Sequence, residues 1–453
     1  MTYPAVAARS PRSLLSGGLG LLAAAGGLGA FALGLSRVLY RYPPTPLIVV
    51  GFAVALLGAL ALSLVSFDLA ITVGVLLLAA VRFQPAPADL LFAVVITVGV
   101  VTGRVDFKRI PWGPALLVWA FLTLNLVSAI DVQDPVRAAS FFAITLYVAF
   151  FGLWLATYVT SSAAARRITR AYVFAAVASA VLSSLALLLA FPGGHLFTRI
   201  GRAEGLFKDP NVFGPFLVPA ALIVLEEILA PRLFHARRST KLAAFAALAI
   251  GVLFSYSRSA WLNLGIGVLV VLTVIAFRRG GGRQAGRALA VVLVAAAAVT
   301  AAVAFSGSTT FLEQRARLQS YDATRFGAQD QSIHWAEQYP FGLGPGQFER
   351  YAGISVHSTY ARALAEEGLP GLTLLLALVL ATFAAAGRNA LEGRDTYGIG
   401  SAALLGAWCG ILANSLFVDT LHWRHLWFVA ALIWAGSGRA TRAGPRPAGT
   451  RSG

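Results

Sequence analysis

Charge is scarce in this chain: Asp, Glu, Lys and Arg make up 12% of its 453 residues. A water-soluble domain carries roughly 25%, so a soluble reading is excluded. Cysteine is scarcer still. The single one, Cys409, lies inside an apolar run, which excludes a disulfide framework and a cysteine-based metal site. There is no GxxxxGK[ST] phosphate loop, no HExxH and no dense acidic cluster for a divalent ion. The acidic pair of a DxD type that would hold a metal-bound sugar nucleotide is also missing. Carboxylates number 19 against 36 basic residues, and because few of them fall on the side read below as outer, a hydrolase that works with two of them is poorly supported.

What the chain has is apolar helix. Hydrophobic residues make up 58% of it and mean hydropathy is +0.75. Apolar runs able to cross ~30 Å of hydrocarbon fall near 14–36, 46–65, 67–83, 87–103, 113–131, 139–160, 171–191, 211–230, 242–257, 260–277, 288–305, 370–387, 398–417 and 422–437. The expected fold is therefore an all-α polytopic membrane protein with about fourteen transmembrane helices, and twelve or thirteen if the weakest, around Asp68 and at 87–103, do not cross. The run at 14–36 follows a basic segment as a signal peptide would, but without a cleavage pattern it is read as the first helix.

Orientation follows from where arginine and lysine collect. With the N-terminus in the cytoplasm, the inside loops hold Arg104, Lys108 and Arg109; Arg166, Arg167 and Arg170; Arg232, Arg237, Arg238 and Lys241; Arg278, Arg279, Arg283 and Arg287; and Arg388 and Arg394. With the tails these are most of the 36 basic residues, so the net charge of +17 reflects topology and calls for no nucleic acid. Both termini are expected inside. Three regions follow: N-terminal helices at 1–195, a candidate catalytic region at 196–437 with a long outer loop at 306–356 that carries short helices, and a basic tail at 438–453.

Against this background four polar stretches stand out. In Arg202–Asn211, Asp209 or Asn211 caps the next helix, while the planar fork of Arg202 suits phosphate oxygens; headgroup contact or a pair with Glu204 is the plainer alternative. In Ser255–Trp261, Arg258 sits so close to hydrocarbon that it must face a cavity or water, since lipid exposure costs several kcal/mol. The alternative is snorkelling, with Trp261 as interfacial anchor. A turn cluster follows at Phe341–Phe348, with Gly342, Gly344, Pro345 and Gly346. Last, His357–Glu367 fits a short amphipathic helix that stops at Gly368 and restarts at Pro370. His357 titrates near neutrality and can move a proton, although a lone histidine at an interface is often structural. Tracing ~100° per residue puts Glu366 opposite His357, where it would fix the helix end or pair with a base.

In this order RAEGLFKDPNVFG at 202–214, SRSAW at 257–261, HWAEQYPFGLGPGQF at 334–348 and HSTYARALAEEGLPGL at 357–372 resemble the O-antigen ligase and polymerase family of bacterial cell-surface glycan enzymes. Residues 1–195 match it only in being successive spans. The resemblance implies a helical architecture similar to the C-type glycosyltransferases and metal-independent, inverting transfer of a glycan from a polyprenyl-diphosphate donor. It further implies a hydroxyl acceptor on a glycan or lipid, and a reaction on the outer face of the bacterial cytoplasmic membrane. Carried over, Arg202 and Arg258 are its essential arginines and His357 its base. Arg325, Tyr360, Glu366 and Lys208 are the expected substrate-binding residues, and no cofactor is expected. Many members carry Asn where this chain has Ser358. Ligase and polymerase both remain open, and so does a transporter or flippase with a basic vestibule. A single helix break, with no counterpart in the first half, favours the enzyme.

Overall fold

The computed structural model describes residues 46–440 except 84, 190, 279–281, 308 and 318. The span expected at 14–36 and residues 441–453 of the expected tail lie outside the described residues. The described chain is helical: α1 (Pro46–Val65), α2 (Phe67–Leu76), α3 (Pro87–Val101), α4 (Trp112–Ser128), α5 (Pro135–Tyr158), α6 (Ser162–Leu188), α7 (Pro210–Leu229), α8 (Arg238–Phe254), α9 (Arg258–Phe277), α10 (Gly282–Ser306), α11 (Thr309–Ala316), α12 (Ser320–Gln338), α13 (Phe348–Ala352), α14 (Thr359–Leu391), α15 (Ser401–Asn414) and α16 (Arg424–Ala440). One small hairpin, β1 (Thr198–Arg199) with β2 (Arg202–Ala203), interrupts it.

Among the described residues six helices, α5, α6, α7, α9, α10 and α14, are long and apolar enough to cross a membrane, and shorter apolar helices accompany them. This is a multi-pass membrane protein. Some expected spans change shape. The run at 67–83 gives only α2 and a 3-10 turn at Leu77–Ala79, short of the ~20 residues a perpendicular crossing needs. The helix expected from Pro370 and the short one before it are taken together as α14, but the break expected at Gly368 is present: φ 70 and ψ −172 interrupt the helical pattern there.

Helix α7 is the hub, with 89% of its apolar window buried, whereas α10 at the rim buries 22% and leaves Leu289, Leu293 and Val294 exposed, as a helix facing lipid would. Close approach depends on small residues, the usual device where no hydrophobic force distinguishes a neighbouring helix from lipid. A Cβ on Gly406 of α15 would lie 2.6 Å from the Gly267 carbonyl of α9. Helices from both halves interleave, α4 against α14 and α5 against α16.

The polar contacts gather at two ends of the bundle. At one end the starts of α3, α5, α9, α14 and α16 meet the loop helices, through Asp89–Arg424, Arg137–Glu349, Arg258–Asp322 and the Thr359 amide on Ser415 O. At the other, Arg278 reaches Glu226, Ala390 O and Ser401, Lys241 pairs with Glu227, and Arg167 with Asp68. The arginine-rich loops expected inside share this second end.

Candidate functional site

At the first end lies a cleft of about 260 Å³ whose polar lining includes Asn211, Arg258, Asp322, Arg325 and His357, with Leu262, Phe326 and Phe417 forming an apolar wall. Each polar group is positioned by a helix terminus, and each terminus has a local cause in the sequence.

Helix α8 ends and α9 begins within three residues. Ser255 closes α8, Tyr256 turns the chain at φ 47, and Ser257 precedes Arg258. A left-handed tyrosine is uncommon; here it aims the first side chain of α9 into the cleft. Gly214 on α7 permits the approach, since a Cβ there would meet Ser255 Oγ at 2.6 Å and Ala260 Cβ at 2.7 Å. Arg258 is not snorkelling. One of its amino groups donates to both oxygens of Asp322, at 2.7 and 2.8 Å, and the other to Arg317 O at 3.2 Å.

Asp322 has a second task. Its Oδ2 accepts the Gln319 amide at 2.8 Å and so caps α12. Burial pushes this carboxyl up, but the hydrogen bonds from Arg258 and Gln319 outweigh it and hold it below the usual range, so it is ionised. Arg325 follows one turn later on the same helix.

His357 lies just outside α14, not within a helix as expected. Ser358 takes the cap position, its hydroxyl accepting the Ala361 amide at 3.3 Å, and the Thr359 amide is fastened to Ser415 O at 2.9 Å. The histidine is thus held at the mouth of the helix. Burial, and then the charge of Arg325, push its pKa below 6.5 despite Asp209 and Asp419. At neutral pH the ring is uncharged and able to accept a proton.

Arg202 stands behind the cleft. The hairpin carries it to the turn after α8, where its Nε donates to Ser255 O at 2.8 Å and an amino group donates to Asn211 Oδ1 at 3.0 Å. Asp209 performs the capping of α7, accepting the Asn211 amide at 2.7 Å, which leaves the Asn211 side chain at the cleft.

The remaining expected residues are placed elsewhere. Tyr360 lines an apolar pocket between α14, α15 and α16, and its hydroxyl donates to Leu412 O at 3.2 Å. Lys208 is exposed on the loop before α7, its carbonyl accepting from Arg199. Glu366 is buried and, as its helical phase predicts, turned away from His357. It accepts the Gly346 amide at 2.7 Å and the Phe348 amide at 3.2 Å, and pairs with Arg362 at 2.8 Å.

That pair belongs to a network that sequence reading missed. Arg362 bonds Glu349 at 2.7 Å, and its Nε lies 2.9 Å from Asp419 Oδ2 without the angle of a hydrogen bond. Arg137 joins Glu349 at 2.7 Å and also donates to Gly346 O. Burial raises the Glu349 carboxyl, but Arg362, Ser355 and Arg137 bring it down to about 2. The glycine cluster lies directly on the kink. A Cβ on Gly368 would fall 2.0 Å from Pro340 O, and one on Gly342 2.2 Å from Glu366 O, both at positive φ. The network thereby pins the segment leading to His357.

No curated protein matches the chain. Residues 243–376 match the model of the O-antigen ligase family. The match takes in Arg258, Asp322, Arg325, Arg362 and His357 and leaves Arg202 and Asn211 outside. Over residues 243–376, then, this multi-pass membrane protein is similar to the O-antigen ligase family.

Proposed function

We propose that this protein transfers a glycan from a polyprenyl-diphosphate donor to a hydroxyl acceptor in the cleft between α7, α9, α12 and the start of α14. The family match supports glycan transfer of the ligase or polymerase kind in general. The observation that carries the finer reading is that Arg258, Arg325 and His357 line one cleft beside Asn211.

In the proposed reaction the acceptor hydroxyl attacks the anomeric carbon from the face opposite the diphosphate. The new C–O bond forms as the bond to the diphosphate oxygen breaks, and configuration inverts. Neutral His357 takes the hydroxyl proton, and polyprenyl diphosphate leaves with the bonding electrons. Its growing negative charge is opposed by Arg258 and Arg325, cations fixed before the reaction begins. The apolar wall of Leu262, Phe326 and Phe417 suits the first units of a lipid or the face of a sugar. The cleft belongs on the outer face of the cytoplasmic membrane, because the arginine-rich loops crowd the opposite end.

The test is an assay of purified protein in lipid nanodiscs with a polyprenyl-diphosphate glycan and a panel of lipid and glycan acceptors. Wild type should form a new glycosidic bond, and the acceptor used distinguishes ligase from polymerase. Arg258→Ala should lower kcat roughly 10²- to 10³-fold, and Arg258→Lys should recover little, because an ammonium lacks the two-pronged fork. Movement of the lipid-linked glycan across the bilayer by wild type, with no new bond, overturns the proposal.

A further inference from the structure

Arg202 and Asn211 belong to one polar stretch at the start of α7, yet the structure gives them different positions. Asn211 lines the cleft, whereas Arg202 is one layer back, fastened to Ser255 O and Asn211 Oδ1. An arginine can only donate, so this contact settles which way the Asn211 amide is turned. Its oxygen is committed to Arg202. The group it has left for a ligand is the NH₂, which has no partner among the described residues.

We infer that Asn211 is the residue that meets the donor's diphosphate, giving an N–H bond to a non-bridging phosphate oxygen, and that Arg202 is a positioning residue that holds the amide in that orientation. This assignment rests on the glycan-transfer reading above. The surroundings favour it. Arg258 and Arg325 share the cleft with Asp322, whose charge Arg258 offsets, and Asn211 adds a neutral donor from the α7 side. The Asn211 main-chain amide is already taken by Asp209, which leaves the side chain as this residue's donor. The backing is rigid, since Arg202 is clamped on a carbonyl of the three-residue turn between α8 and α9.

The two roles are separated by Asn211→Asp. That change keeps an oxygen for Arg202, and so keeps any anchoring role, but replaces the NH₂ by an anionic oxygen that repels a diphosphate. Transfer from a polyprenyl-diphosphate glycan is measured for wild type, Asn211→Asp, Asn211→Ala, Arg202→Ala and the double alanine variant, with thermal unfolding in detergent alongside. Asn211→Asp is expected to lose roughly 10²- to 10³-fold in kcat/KM with its melting temperature unchanged, and to be no better than Asn211→Ala. Adding Arg202→Ala to Asn211→Ala should cost almost nothing further, because Arg202 acts through the amide that is already gone. That cycle gives the answer even if the aspartate variant does not fold. Activity of Asn211→Asp close to wild type, or full additivity of the two alanine changes, overturns the assignment while leaving glycan transfer standing. Absence of product from wild type overturns both.

Discussion

Replacement of His357 by alanine is expected to lower kcat/KM for glycan transfer roughly 10²- to 10⁴-fold, the usual worth of a positioned general base, with little change in melting temperature. The side chain precedes the first turn of α14 and is not part of the network that fixes that turn, so the loss should appear in the chemistry. The pH profile carries the sharper signature. The active form is the neutral ring, and burial together with Arg325 holds its pKa below 6.5. Rate should therefore be flat above pH 6.5 and fall only as pH drops through the depressed value. Arg325→Gln removes a cation that pushes the imidazole down, so the acid limb should move upward toward 6.5. An acid limb that persists in His357→Ala would assign the titration to another group and remove the base from the mechanism.

Arg362→Met should be the most destabilising change around α13 and the start of α14. The side chain is 8% exposed, and its guanidinium touches Glu349, Glu366 and Asp419. Removing one partner of a buried ion pair costs roughly 3–5 kcal/mol, because the other is left uncompensated, and here three carboxylates lose their common cation. Thermal unfolding in detergent measures the loss, and an unchanged melting temperature would show the network to be dispensable. Acid should attack the same point. Glu349 has its carboxyl lowered from 4.5 to about 2, so its contribution is complete above pH 4.5 and is lost as pH falls from there toward 2. Wild type should weaken over that interval, and Glu349→Gln should be weaker at neutral pH but less sensitive across it.

Much of this was legible in the chain. Hydrophobic runs separate spans from loops because lipid tolerates no unpaired backbone, and the arginine-rich loops share one end of the bundle as their spacing predicts. The pairing of Arg258 and His357 was readable because each breaks an apolar pattern beside a helix end. Glu366 was correctly turned from His357 by helical phase alone, and its bond to Arg362 is the four-residue spacing that phase permits. Partners distant in sequence were not readable. Nothing near Arg137, Asp419 or Asp322 marks them as partners of Glu349, Arg362 and Arg258, since each contact arises only when separate helix starts converge. Arg202 was misplaced by one layer for the same reason: its fork chemistry is local, but the Ser255 carbonyl that captures it is supplied by the fold.

The three-residue turn between α8 and α9 has one more effect. Ser255 supplies the carbonyl that clamps Arg202, and Arg258 opens the helix immediately beyond. Both guanidinium forks thus meet at one short turn, Arg258 as its continuation and Arg202 through a hydrogen bond from the hairpin. A shift of that one turn would therefore reach both forks at once.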